Sequence, residues 1–423
     1  MTRLERLRAR ERVTGHPVRV ALIGAGQMGR GLAAQIGRIP GLELAVAVDV
    51  DLGRAHGALK LAGRDRIEDD PARIQDAVAD GIAVAVPDAA AVPELAVDVV
   101  VEATGVPDIG AQVALRSLLA RQHVVMLNVE ADVTVGRYLD AMAASSNVVY
   151  SIADGDEPVA AKELFDFAQE LAFEVVCAGK GKNNPFHPTA TPESCAEEAA
   201  RKRMNPKMLA SFQDGSKTQI EMAALANATG LPPDVTGMHG PAAEVDELTR
   251  VLVPAADGGV LSEAGRVDYA FGPAPGVFVV VTSDAAAVAE EMAYLSMGDG
   301  PYWVLYRPYH LASIEAARTI TTAILDGRPV VRPVAWIAEV VATAKRDLAA
   351  GDVIDGIGGR HVRGVLHLAA EARDLVPLGL IEGATVERPV PAGEPVPRDA
   401  VALRPSAIGH LRSLQEQLCA PTP

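Results

Sequence analysis

Aromatic residues make up only 4% of this 423-residue chain, so Ala, Val, Leu and Ile must fill its cores. Cysteine is scarce too: Cys177, Cys195 and Cys419 stand far apart with no C-x-x-C pair, which fits neither a disulfide framework nor a zinc cluster. No run of Lys or Arg follows the basic stretch Arg3 to Arg12, itself interrupted by Glu5 and Glu11, and the formal net charge is −16. That argues against nucleic acid as a partner, because binding it needs a concentrated positive surface. Long apolar runs are missing as well. Those present are strand-sized and broken by charge, which predicts a protein that neither spans a membrane nor is exported, and therefore a cytoplasmic one. What is present is the balance of a packed globular protein, 49% apolar and 22% charged, at a length that predicts two or three domains.

Val18 to Ile23 is almost wholly aliphatic, which is how a parallel strand buried on both faces reads. Gly24-Ala25-Gly26-Gln27-Met28-Gly29 follows it, then a helical spacing from Gly31 to Ile39 and a second apolar run from Leu44 to Val48 ending in Asp49. Further strands are predicted at Gly81 to Val86, Asp98 to Glu102 and His123 to Asn128, with a helix at Pro107 to Ala120. This alternation predicts a doubly wound parallel sheet over residues 1–150. From 151 to 332 the pattern changes to helices at Val159 to Leu171, Ser216 to Ala228 and Leu311 to Leu325, strands at Glu174 to Ala178 and Val277 to Thr282, and a polar loop from Gly179 to Pro192. Residues 333–423 carry short segments punctuated by Gly and Pro, which suggests a small β-rich module.

The glycine pattern fits G-x-G-x-x-G in the context that gives it meaning: a strand before, a helix after, and an acid at the end of the next strand about 20 residues on. Gly24 permits the turn, Gly26 lets backbone approach a pyrophosphate, and Gly29 lets helix and strand pack closely. The N-terminus of the following helix is expected to turn its N–H groups to the phosphates, with Gln27 and Met28 of the loop also at the cofactor. Asp49 suits the ribose of NAD, whereas Arg54 suits the extra phosphate of NADP, and both cofactors remain open. Glu102-Ala103-Thr104-Gly105 and Asn128-Val129-Glu130-Ala131-Asp132 end two strands at the ligand-binding edge. Thr104, Gly105 and Asn128 are thereby expected at the cofactor, and Glu130 near the reacting centre.

Asp154-Gly155-Asp156-Glu157 packs three carboxylates before a helix, either as ligands for a divalent cation or as negative charge at a helix N-terminus. Lys180, Lys182, Asn183 and Asn184 lie on a Gly-interrupted segment that suits an anionic substrate or forms a solvated loop. Asp214 and Lys217 stand at the start of a helix at one-turn spacing, so Lys217 reads as a proton donor or acceptor with an acidic neighbour, or as half of an exposed ion pair. Among His187, His239 and His310, only His310 is taken as a substrate contact.

Through Val20 to Gly29, Val100 to Gly105, Leu127 to Asp132, Gly179 to Pro185, Asp214 to Lys217, Tyr306 to Leu311 and Ala344 to Gly359, the chain resembles the homoserine dehydrogenase superfamily. Within it, the deoxyxylulose-phosphate-reductoisomerase-like branch with a C-terminal SAF domain is the nearer likeness. The resemblance implies three parts: a Rossmann domain, an α+β substrate and dimerisation domain, and a SAF (β-clip) module matched by Ala344 to Asp352. It also implies an NAD(P)-linked hydride transfer to or from a small anionic molecule such as a sugar phosphate, in a homodimer or tetramer. Lys217 would match the helix-borne catalytic lysine, Lys180 and Lys182 the phosphate site, and Asp154 or Glu157 a Mg or Mn site; Asp156 is taken separately as a candidate substrate contact. Glu130 departs from the lysine that homoserine dehydrogenases carry after this asparagine, which argues against homoserine. A dehydrogenase without rearrangement or metal, and a dinucleotide sensor without catalysis, are the alternatives.

Overall fold

Val18–Ile23, aliphatic except for Arg19, forms the strand β1, buried along nearly its whole length in the computed structural model, which describes residues 1–422. The chain forms two compact units. The first comprises residues 1–156, 311–332 and 410–415. Its sheet adds β2 (Leu42–Val48), β3 (Ile67–Glu68), β4 (Ala83–Val86), β5 (Val99–Glu102), β6 (His123–Met126) and β7 (Tyr150–Ile152). All neighbours are parallel, in the order β3-β4-β2-β1-β5-β6-β7. The chain winds outward from β1 on one side, then returns to β5 on the other, so the switch point lies between β1 and β5, where such sheets bind ligand.

The helix Gln27–Ile36 buries Leu32, Ala33 and Ile36 against the sheet, in one core with Ala316, Ala317 and Ile320 of the helix Ala312–Asp326. It begins at Gln27, with Gly26 as its N-cap, earlier than the apolar spacing from Gly31 indicates.

The second unit comprises residues 157–310, 333–409 and 416–423. Its main sheet has the order β11-β10-β8-β9, formed by β8 (Glu174–Gly181), β9 (Arg266–Ala270), β10 (Val277–Thr282) and β11 (Tyr302–Arg307). β8 and β9 run parallel and the other pairs antiparallel. Two antiparallel pairs follow, β12 (Ala338–Ala344) with β13 (Val362–Leu368), and β14 (Thr385–Val386) with β15 (Val401–Ala402). The helix Ser216–Thr229 has no apolar stripe, and 12 of its residues are buried, which is the behaviour of a helix covered on every side.

One expectation is corrected here. The segment Gly179 to Lys182 is not a flexible loop: β8 continues to Gly181, and Lys180 and Lys182 are 6% and 5% exposed. Its glycines are packing positions, since a Cβ at Gly179 would lie 1.8 Å from the Asp268 carbonyl oxygen and one at Gly181 2.2 Å from the Ala274 nitrogen. Among the described residues no helix is long and apolar enough to cross a membrane.

Candidate functional site

In the first unit, Gly24 leaves β1 at φ +95°, and a Cβ there would stand 2.7 Å from the Ala103 carbonyl oxygen at the end of β5. Gly29 is equally constrained, with a virtual Cβ 2.0 Å from the Gly24 carbonyl oxygen, whereas Gly26 faces open space. The loop is tied to β2 by Asp49, whose Oδ2 accepts from the Ala25 N–H and Oδ1 from the Asp51 N–H, both at 2.9 Å. A cavity of about 370 Å³ opens beside it, lined by Gly24, Gly26, Asp49, Arg54, Thr104 and Arg116 among others. Arg54 is exposed and 3.6 Å from Asp51. Gln27 and Met28 are exposed at the helix start, and Gly105 turns at φ +68° beyond β5.

Glu102 is fully buried at the end of β5 and accepts from the Thr104 N–H at 2.9 Å and from its hydroxyl. Burial, offset in part by those bonds and reinforced by the Glu130 charge, raises it to about 7. Asn128, expected at a strand end, is instead the N-cap of the helix Val129–Ser146, and its Oδ1 accepts from the Ala131 N–H at 3.2 Å. Glu130 is half-buried in the first turn of that helix.

Asp132, in the same turn, accepts from the Tyr150 hydroxyl at 2.8 Å and is raised by burial to about 7. In the unfolded chain this carboxyl ionises near its ordinary value of 3.8. Between those pH values the unfolded state has already released a proton that the folded state keeps, so this group lowers stability as pH rises through the interval and adds nothing further above it. Asp132→Asn keeps an acceptor for Tyr150. We expect it to melt higher than wild type at pH 8 and to lose most of that advantage near pH 4; a melting gap independent of pH would overturn this account.

In the second unit, a chain of alternating charge runs through one buried cluster. Lys180 Nζ donates to Glu157 Oε1 at 2.8 Å and to Glu221 Oε2. His310 Nε2 lies 3.4 Å from the same Glu157 oxygen, and Lys217 Nζ lies 3.8 Å from Glu221 Oε1. Although burial opposes it, the two carboxylates hold Lys180 above its ordinary range, while burial raises Glu221. Lys182 behaves differently: its Nζ donates to the Phe212 carbonyl at 2.7 Å, and burial together with the Lys180 charge lowers it to about 8. Asn183 is exposed, and its Oδ1 accepts from Asn184 Nδ2 at 2.9 Å.

Glu221 went unnoticed in the sequence, although it stands four residues after Lys217 and so on the same helical face. Asp214 does not share that face. Gly215, at φ +90°, separates it from the helix, and its carboxylate is fully buried, 2.6 Å from Lys345 Nζ and 2.8 Å from the Ser216 N–H. Lys345 belongs to the C-terminal module, and nothing in the linear spacing announces it.

Both residues named for a divalent ion have protein partners. Asp154, buried in the first unit, accepts from the Thr319 hydroxyl at 3.2 Å, and its own N–H donates to that oxygen. Glu157 is taken by Lys180, and Asp156 precedes it half-buried. An oxygen of Glu157 nonetheless lies within 4.8 Å of one of Glu221.

Comparison with curated proteins gives no match. Among solved structures, a dehydrogenase from Chromobacterium violaceum is 20% identical, with 41% of this chain and 47% of that one aligned at a TM-score of 0.27. The 1-deoxy-D-xylulose 5-phosphate reductoisomerase from Zymomonas mobilis is 17% identical over 50% of this chain and 58% of its own, TM-score 0.37. The scyllo-inositol dehydrogenase from Lactobacillus casei is 14% identical over 69% and 76%, TM-score 0.38. The alignment thus spans about half the length of the first two. These are distant likenesses, and the assignment rests on two family matches, to "Oxidoreductase DRL, catalytic domain" over residues 155–316 and to the SAF domain over 339–402. Neither match names the wider homoserine dehydrogenase group. Residues 155–316 thus match an oxidoreductase catalytic domain of the DRL type, and residues 339–402 match a SAF domain.

Proposed function

We propose that the chain is an NAD(P)-dependent oxidoreductase that moves hydride between nicotinamide and a small polar, anionic molecule, a sugar phosphate fitting best. The observation that carries the reading is the glycine loop, whose one open position, Gly26, faces space at the switch point of a parallel sheet in a chain with an oxidoreductase catalytic domain. In this reading the first unit binds the dinucleotide. Helix N–H groups from Gln27 onward take the diphosphate, and Asp49 and Arg54 stand at the adenosine end. The bound nicotinamide supplies or accepts the hydride.

The second unit binds the substrate. Lys182, close to neutral pH in its ionisation, and Asn183 and Asn184 beyond it offer N–H donors to an anion. Lys180, whose charge is already matched by Glu157 and Glu221, is not among the anion's contacts. Lys217, held by Glu221, exchanges the proton: its ammonium gives one to the carbonyl oxygen being reduced, or its amine takes one from the hydroxyl being oxidised.

The test is Lys217→Ala, with sugar phosphates, hydroxy acids and semialdehydes screened by nicotinamide absorbance. Turnover is expected to fall by roughly 10²–10⁴-fold, with dinucleotide affinity by calorimetry unchanged. Near-normal turnover in the variant would remove Lys217 from the mechanism.

A further inference from the structure

Two acidic side chains that share a buried pocket ordinarily call for a cation, since neither can stay ionised away from water without one. Oxygens of Glu157 and Glu221 lie within 4.8 Å of each other, a separation a divalent ion spans. Here the protein fills that need itself. The Lys180 side chain is 8% exposed, its stem rises from β8 between two packed glycines, and its Nζ donates to both carboxylates.

The remaining named contacts point the same way. Glu221 meets an ammonium on each oxygen, Lys180 on Oε2 and Lys217 on Oε1, and Glu157 Oε1 faces both Lys180 and the His310 ring. A divalent ion entering here would have to expel a buried ammonium and reorganise its oxygen ligands around a position that N–H groups already occupy.

We propose that Lys180 is a built-in cation, standing between Glu157 and Glu221 where a metal ion would otherwise sit, and that it fixes Lys217 and His310 through those two carboxylates. Lys180 is accordingly a positioning residue. This rests on the reading of the cluster as the substrate site only for its consequence, that turnover does not require a divalent ion. The occupancy itself is independent of any activity, because it concerns which cation the two carboxylates hold.

The experiment titrates Mn²⁺ into the full-length protein, followed by electron paramagnetic resonance and calorimetry. Wild type is expected to show no stoichiometric Mn²⁺ site, and any nicotinamide turnover is expected to be unchanged by a chelator. Lys180→Ala, which leaves both carboxylates and opens space between them, is expected to take up one Mn²⁺ per chain with affinity more than about tenfold above wild type. Adding Glu221→Gln to that variant should abolish the uptake. A stoichiometric Mn²⁺ site in wild type that Glu221→Gln removes would overturn the proposal, a result that needs no folded Lys180 variant. A Lys180→Ala protein that is folded by circular dichroism yet binds no Mn²⁺ would overturn it equally. If instead no substrate is ever found, the functional reading fails while these binding results still decide the inference.

Discussion

Lys345→Met should lower the melting temperature by on the order of 10 °C, although Lys345 lies outside the oxidoreductase catalytic domain. Its side chain is 1% exposed; its ammonium donates to the carbonyls of Ala190 and Gly359 at 2.6 and 2.7 Å and forms an ion pair with the Asp214 carboxylate at 2.6 Å. Replacing it with an apolar residue strands a carboxylate that is itself fully buried. Breaking a buried pair in this way costs about 3–5 kcal/mol, whereas removing both charges together costs far less. Lys345→Met combined with Asp214→Leu is therefore expected to recover at least half of the lost melting temperature. A single variant melting within a degree or two of wild type would show that the pair stabilises nothing.

The consequence reaches the buried charge cluster through the helix Ser216–Thr229, which carries Lys217 and Glu221. The SAF strands pin that helix along its length. The Gly364 N–H donates to Ser216 Oγ and the Leu366 N–H to Gln219 Oε1, both at 2.8 Å. Near its far end, Asn227 Oδ1 accepts from the N–H groups of Ile337 and Ala338 at 2.9 and 3.0 Å. Polar side chains on an Ala-rich, buried helix are thus accounted for by an element more than a hundred residues later in the chain, as the separations of these bonds show.

That explains which parts were legible from sequence. The strands Val18–Ile23 and Val277–Thr282 are predominantly apolar, β-branched runs bounded by turn residues, so local pattern alone places them. The glycine loop was legible because its spacing and flanking elements are local, although what crowds Gly24 is Ala103 of β5. Lys180 was misplaced because Gly179 and Gly181 look the same in a sequence whether they confer freedom or accommodate a neighbouring backbone, and only the approach of Asp268 and Ala274 distinguishes the two. Asp214 was assigned to a helix face by spacing, and one left-handed glycine undid the spacing. Pairings such as Lys345 with Asp214, 131 residues apart by their numbers (345 − 214), leave no periodic trace.

Gly26→Ala and Gly29→Ala are expected to separate cofactor binding from folding in opposite ways. At Gly26, φ is −69° and ψ −161°, a conformation alanine adopts, and an added Cβ meets nothing within 4 Å. Stability should hold, or rise by about 0.4–1 kcal/mol through the loss of unfolded-chain freedom. The new methyl would nevertheless project into the space through which a diphosphate must approach the backbone. A steric cost of roughly 1–3 kcal/mol there corresponds to dinucleotide binding weakened about tenfold to a hundredfold. At Gly29 the Cβ would stand 2.0 Å from the Gly24 carbonyl oxygen, so the helix must move off the strand. Both the melting temperature and the affinity should then fall. Calorimetry with the reduced cofactors and thermal melts on each variant decide the matter: a Gly26→Ala protein that binds dinucleotide like wild type would mean that no diphosphate crosses this loop, and with it the hydride-transfer reading would lose its support.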